Sequence, residues 1–181
     1  MRYNVPLLNQ SVSPICYVVA AAMIQKYWQQ TAGSDFDTTL LTGGASPLNS
    51  CIPGASTNAA AEMGLEEAGF LLLSKPGSTL RNTNINKLLM DNGPLLLVHL
   101  VANFNYGPKW GGKKPANAPG AHAVVITGLE GNRAYVNNPW GDKDMMIPAR
   151  DLLASITQAY NAGYRALGYA ISSTPALNMI Y

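Results

Sequence analysis

With 181 residues, of which 48% are apolar and only 12% charged, and with a formal net charge of +2, the chain can bury a core of its own without disulfides or metal. This composition excludes a disordered segment and a nucleic-acid binder built on a basic face, so no nucleic-acid partner is expected. The longest uncharged apolar runs, 15–24 and 95–102, are too short to cross a bilayer, so neither a transmembrane helix nor a membrane partner is expected.

The opening MRYNVPLLNQ has one early arginine but lacks the apolar core and small-residue cleavage site of a signal peptide. The domain is expected to begin almost at once, with no signal peptide and no room for a pro-segment ahead of Cys16. In NQSVSPICYVVAAAMIQKYW, residues 9–28, Ser13 suits an N-cap and Pro14 the first helical position. A helix is predicted from here through Trp28, with Cys16 in its first turn. There the free amides and the positive end of the helix dipole favour a thiolate, which turns a small core residue into a candidate nucleophile.

Residues 31–56 are rich in Gly, Ser, Thr and Pro and read as an irregular excursion. A helix is predicted over 57–70, closed by Gly69, and a second over 84–92, ended by Gly93. Pro94 then opens LLLVHLVA, an apolar run of strand length. The loop 103–121, dense in Gly and Pro and carrying Tyr106, Lys109, Trp110, Lys113 and Lys114, reads as a candidate cleft wall or partner surface. Strands are predicted over 122–129 and 133–137, joined by a turn at Glu130, Gly131 and Asn132, with a third over 144–147. A helix over 148–159 and a strand over 164–172 complete the chain. Helices first and a mostly antiparallel sheet afterwards give an α+β class in a single domain over 1–181.

Chemistry-bearing residues are few. There are two cysteines, Cys16 and Cys51, read as free thiols, and two histidines. His99, inside the apolar run, reads as a core histidine, whereas His122 starts a strand after a flexible loop, where a side chain can stand at a cleft edge. Sixteen residues later comes Asn138, in Asn138-Pro139-Trp140-Gly141. Its amide oxygen can accept from the second imidazole nitrogen, and Trp140 can shield that bond. Asn137, Asp142 and Asp144 are substitutes for the orienting role. Gln10, six residues before Cys16, can join the Cys16 amide as an oxyanion donor. No two of the Cys and His residues have metal-ligand spacing, so neither a metal nor another cofactor is expected.

Gln10, Cys16, His122 and Asn138-Pro139-Trp140-Gly141, in this order and spacing, resemble the papain-like cysteine proteases. Val5-Pro6, Cys16-Tyr17 before an alanine-rich helix, Gly93-Pro94 and Gly120-Ala121-His122-Ala123-Val124-Val125-Ile126-Thr127-Gly128 resemble two bacterial branches more closely: the double-glycine peptidases that process bacteriocin leaders, and the injected avirulence proteases of plant pathogens. Two departures stand out. Tyr17 replaces the usual Trp after the nucleophile, and Asn138 stands where those branches more often have Asp.

The resemblance implies a papain-like fold and a cysteine endopeptidase acting on protein substrates, with Cys16 as nucleophile, His122 as acid and base, Asn138 as orienting group, Gln10 in the oxyanion hole, and Trp140 and Tyr17 in support. Cys16 and His122 are expected to rest as a thiolate–imidazolium pair. Cleavage after Gly-Gly, a role as a bacterial effector or toxin, and a cognate inhibitor or immunity protein are further expectations. The protein is then expected as a monomer, in the bacterial cytoplasm or delivered into a target cell by a dedicated secretion system. The alternatives are another acyl transfer on the same residues (deamidation, transglutamination or peptidoglycan amide cleavage) and a non-catalytic binding module on the same fold.

Overall fold

The computed structural model describes residues 1–9, 16–32, 70–72, 82–100, 121–154 and 169–171. The long first helix, α1 (Cys16–Ala32), is followed by strand β1 (Phe70–Leu72), helix α2 (Asn82–Asn92) and strand β2 (Leu95–Leu100). Strands β3 (Ala121–Glu130), β4 (Arg133–Asn138) and β5 (Asp142–Pro148) come next, then a helical segment over 149–154, here α3, and strand β6 (Tyr169–Ile171). The six strands form one sheet in the order β1-β6-β2-β3-β4-β5, antiparallel at every pairing. Helices packed on an antiparallel sheet make the α+β class that the sequence predicts.

Strand alternation divides the core in two. Val18 to Ile24 of α1 are all buried, and they pack with Val5, Phe70, Leu96, Ala123 and Val125 on one face of the sheet. A helix apolar all round is one that is covered all round, which is why α1 carries no polar stripe before Lys26. On the other face Leu95, Leu97, Val124, Ile126 and Val136 meet Ile85 and Leu89 of α2 and Leu152 of α3. Truncating one of these wholly buried leucines to alanine costs about 2–5 kcal/mol.

The β3–β4 hairpin forms where its turn residues place it, with Glu130 opposite Arg133 and Gly131 at positive φ. Among the described residues α1 runs on through Ala32, Pro148 ends β5 instead of opening the next helix, and one element changes type. Phe70, expected to end a helix, opens β1 opposite Ile171 of β6, with its ring 1% exposed. Pairing with a strand from the far end of the chain overrides the local helical spacing. The Ser13 and Pro14 helix start, the irregular segment over 33–56, the expected helix over 57–69, the loop over 103–120, the helical residues 155–159 and the strand residues 164–168 lie outside the described residues. No described helix is long and apolar enough to cross a membrane.

Candidate active site

Three elements converge at one end of the sheet. α1 begins at Cys16, whose side chain is 3% exposed. The backbone amides of Ala123, Tyr17 and Cys16 itself lie near its sulfur and act to lower the thiol pKa. The last two are amides of a helix start; the first belongs to the residue directly after His122 in β3. The contact with Ala123 brings the sulfur beside the start of β3, so the two residues that the sequence pairs from distant positions share one neighbourhood. Tyr17 is partly buried and packs against the same cluster.

His122 is 1% exposed, and its Nε2 lies 2.8 Å from Oδ1 of Asn138, sixteen residues along at the end of β4. The backbone N–H of Trp140 donates to the same Oδ1 at 2.9 Å. A peptide N–H can only donate, so this second bond identifies the atom as the amide oxygen and requires Nε2 of His122 to carry its hydrogen. In the neutral ring Nδ1 is then the proton acceptor. The Trp140 ring stacks on the imidazole, with centroids 3.9 Å apart and planes 19° from parallel, and keeps water from the Nε2–Oδ1 bond. The turn that delivers Trp140 closes with Gly141 N–H donating to Asn138 O at 2.9 Å and Gly141 at φ +107°, a conformation that L side chains rarely adopt.

Electrostatics correct one expectation. Burial pushes the Cys16 thiol up, with the three amides acting against it, and burial pushes His122 down to about 4, with the Asn138 bond acting against it. Both directions favour neutral thiol and neutral imidazole in the closed site over a resting thiolate–imidazolium pair. The helix start does favour the thiolate, but desolvation of a wholly covered sulfur is the larger effect.

Of the substitutes for Asn138, Asn137 points to the opposite face, where its Nδ2 donates to Val5 O, and Asp144 pairs with Arg2 at 3.0 Å. The backbone of His99 sits opposite His122 in the β2–β3 register. Gln10 and Cys51 lie outside the described residues. Among the described residues no three His, Cys, Asp or Glu side chains are grouped so as to hold a metal ion.

An antiparallel sheet with a buried helix whose first residue is a cysteine beside a histidine strand defines the papain-like class. The model of the family described as papain-like cysteine protease AvrRpt2 matches residues 1–149, and the chain belongs to that family. It is a cysteine protease, a hydrolase of papain-like fold. Among solved structures, it is similar to a C39-like peptidase from Bacillus anthracis, with a TM-score of 0.58 and 17% identity over 92% of this chain and 94% of that one. A double glycine motif protease from an AMS/PCAT transporter, in complex with the leader peptide, aligns with a TM-score of 0.48 and 17% identity over 93% of this chain and 91% of that one. A search of the curated protein sequences finds no match.

Proposed function

We propose that the chain is an endopeptidase that cleaves protein substrates through Cys16, His122 and Asn138, with Gln10 and the Cys16 amide as oxyanion donors. The observation that carries this reading is the buried Nε2–Oδ1 bond of 2.8 Å beneath Trp140, with the Cys16 sulfur near the amide of Ala123, the residue after His122 in β3.

The steps follow from these groups. As the sulfur attacks the scissile carbonyl carbon, its proton passes to Nδ1 of His122, and the C=O electrons move onto oxygen, where Gln10 and the Cys16 amide hold the charge. Asn138 Oδ1, accepting from Nε2–H, steadies the imidazolium as it forms. That proton then goes to the amine as the C–N bond breaks. Water, giving its own proton to Nδ1, attacks the thioester; carboxylate leaves and the thiol is restored.

The resemblance to double-glycine peptidases supports cleavage after Gly-Gly, and that to injected avirulence proteases supports a bacterial effector or toxin domain, delivered into a target cell and matched by a cognate inhibitor. The test is to incubate the protein and its Cys16→Ala form with a denatured proteome and sequence the new N-termini. Cuts clustered after small residues in the first sample and absent from the second are expected. Identical termini in both samples would sink the reading.

A further inference from the structure

Residues 1–9 form a strap along the sheet. Met1 exchanges backbone bonds with Leu129, each 3.1 Å, Arg2 bridges Gly128, and Tyr3 N–H donates to Thr127 O at 2.6 Å. A β-bulge between Ile126 and Gly128 opens room for this, and the approach is so close that a Cβ on Gly128 would stand 2.5 Å from Met1 O. The strap then reaches β4 and β5. Val5 is wholly buried, its O accepts from Asn137 Nδ2 at 3.0 Å, and Asn4 Oδ1 accepts from Lys143 Nζ at 2.8 Å. Between the strap and β5 lies an open cleft of about 280 Å³, lined by Arg2, Tyr3, Asn4 and Asp144, with Lys143 at its rim.

The guanidinium in this cleft is held in place from two sides. Arg2 Cζ lies 4.5 Å from the centre of the Tyr135 ring, and Tyr135 donates from its hydroxyl to Glu130 Oε2 at 2.8 Å. Arg2 Nη2 pairs with Asp144 Oδ2 at 3.0 Å, while Asp144 Oδ1 accepts from Thr127 Oγ1 at 3.2 Å. The remaining hydrogen-bonding capacity gives the sign of what fits. Both oxygens of Asp144 and Oδ1 of Asn4 are engaged, and the Tyr3 hydroxyl is turned away to Leu89 O at 2.6 Å. Nε and Nη1 of Arg2, Nδ2 of Asn4 and the other Lys143 protons are donors that these bonds leave over. With Arg2 and Lys143 set against Asp144, the cleft is also net positive. A donor-rich, cationic cleft built on a fixed guanidinium fork matches a planar carboxylate.

Its position ties it to the reaction. Val5, next to Asn4, belongs to the same buried cluster as Cys16, so the strap runs over the face of the sheet on which α1 lies. Lys143 and Asp144 are the second and third residues of β5, just past the turn that carries Trp140. We propose that this cleft is an accessory subsite of the peptidase, in which Arg2, with Asn4 and Lys143 beside it, holds the carboxylate of an aspartate or glutamate side chain of the protein substrate, a few residues from the scissile bond. The subsite rests on the endopeptidase reading above. Arg2 then bridges two carboxylates, and Lys143 supplies the balancing charge. Because Tyr135 and Asp144 fix the guanidinium before substrate arrives, little is lost in ordering it. The carboxylate is held alike before and during the reaction, so the effect falls on KM.

The test is to sequence the new N-termini cut from a denatured proteome by wild type, Cys16→Ala, Arg2→Gln and Lys143→Gln. In wild type, Asp and Glu should be enriched at one fixed position within about six residues of the cut, a span of about 20 Å in an extended chain. The enrichment should vanish in Arg2→Gln and weaken in Lys143→Gln. A peptide made from the strongest site should lose about 10-fold in KM when its acidic residue is replaced by the amide. Arg2→Gln should cost the acidic peptide the same factor, and the two changes together no more than either. If Arg2→Gln does not fold, Lys143→Gln, exposed on β5, takes the same measurements. No fixed acidic position in wild type, or one that survives unchanged in these variants, would overturn the subsite and leave the peptidase standing. Cuts set instead at a fixed distance from the substrate's C-terminus would assign the cleft to a terminal carboxylate and overturn the side-chain form. Identical termini from wild type and Cys16→Ala would sink the endopeptidase reading, and the subsite with it.

Discussion

The imidazole and the sulfur of this site are held by different kinds of structure. His122 and Asn138 lie sixteen residues apart on consecutive antiparallel strands, and the bond between them closes within one hairpin unit under a stacked indole. Cys16 arrives from the far side of the chain on the first residue of a buried helix, and its place depends on how α1 packs against β3. The imidazole side is therefore positioned by local hydrogen bonds and the sulfur side by apolar packing. Changes to the hairpin should alter chemistry with modest loss of stability, whereas changes to the α1 face should unfold the protein before they alter its chemistry.

The largest expected effect on stability comes from acid, and it belongs to the imidazole. His122 is held at about 4 against its ordinary 6.5, so between these values the unfolded chain binds a proton that the folded chain does not. Stability from this group is complete above pH 6.5 and is lost as pH falls through 6.5 to about 4, by about 3 kcal/mol in all. Urea titrations at pH 7 and pH 4 should show this excess acid sensitivity in wild type and its absence in His122→Gln.

Next comes the orienting amide. Asn138→Ala should lower kcat/KM about 30-fold, a loss of about 2 kcal/mol, with the midpoint of urea unfolding shifted much less. Asn138→Asp sharpens the point: Nδ2 of Asn138 is buried without a hydrogen-bond partner among the described residues, so the swap removes none of the described bonds on that side and sets a carboxylate against Nε2–H. The pKa of His122 should rise, and the acid limb of the kcat/KM profile should move to higher pH.

Gly128→Ala tests the strap. Its Cβ would meet the backbone at Met1 and Arg2, so the strap must shift, at a cost of about 1–3 kcal/mol measured by thermal unfolding. The smallest effect lies on α2, where Lys87 and Asp91 pair at 2.6 Å with both side chains at least half exposed. Lys87→Ala should change stability by less than about 0.5 kcal/mol.

The same division explains what the sequence made legible. The hairpin elements were readable because turn residues, alternation and the sixteen-residue spacing are all local signals, and α1 was readable from the apolar run that follows Cys16. Strand β1 was not, because Phe70 is fixed by Ile171, a partner that no local window contains. The resting charge state was misread for a related reason: the helix start is visible in the sequence, but the complete burial that outweighs it is a property of the folded chain. The clamp by Asn137 was hidden as well. Trp140, two residues on, marks Asn138 in the sequence, but nothing there shows that Asn137 turns to the other face and bonds Val5 O.

The central claim is that Cys16 and His122 work as one unit. The direct measurement is peptide hydrolysis by wild type, Cys16→Ala, His122→Ala and the double variant. If the two act together, each single substitution drops the rate to the same floor, at least about 1,000-fold below wild type, and the double variant falls no lower. A His122→Ala enzyme that keeps most of its activity, or a double variant that loses the sum of two independent effects, would contradict the account.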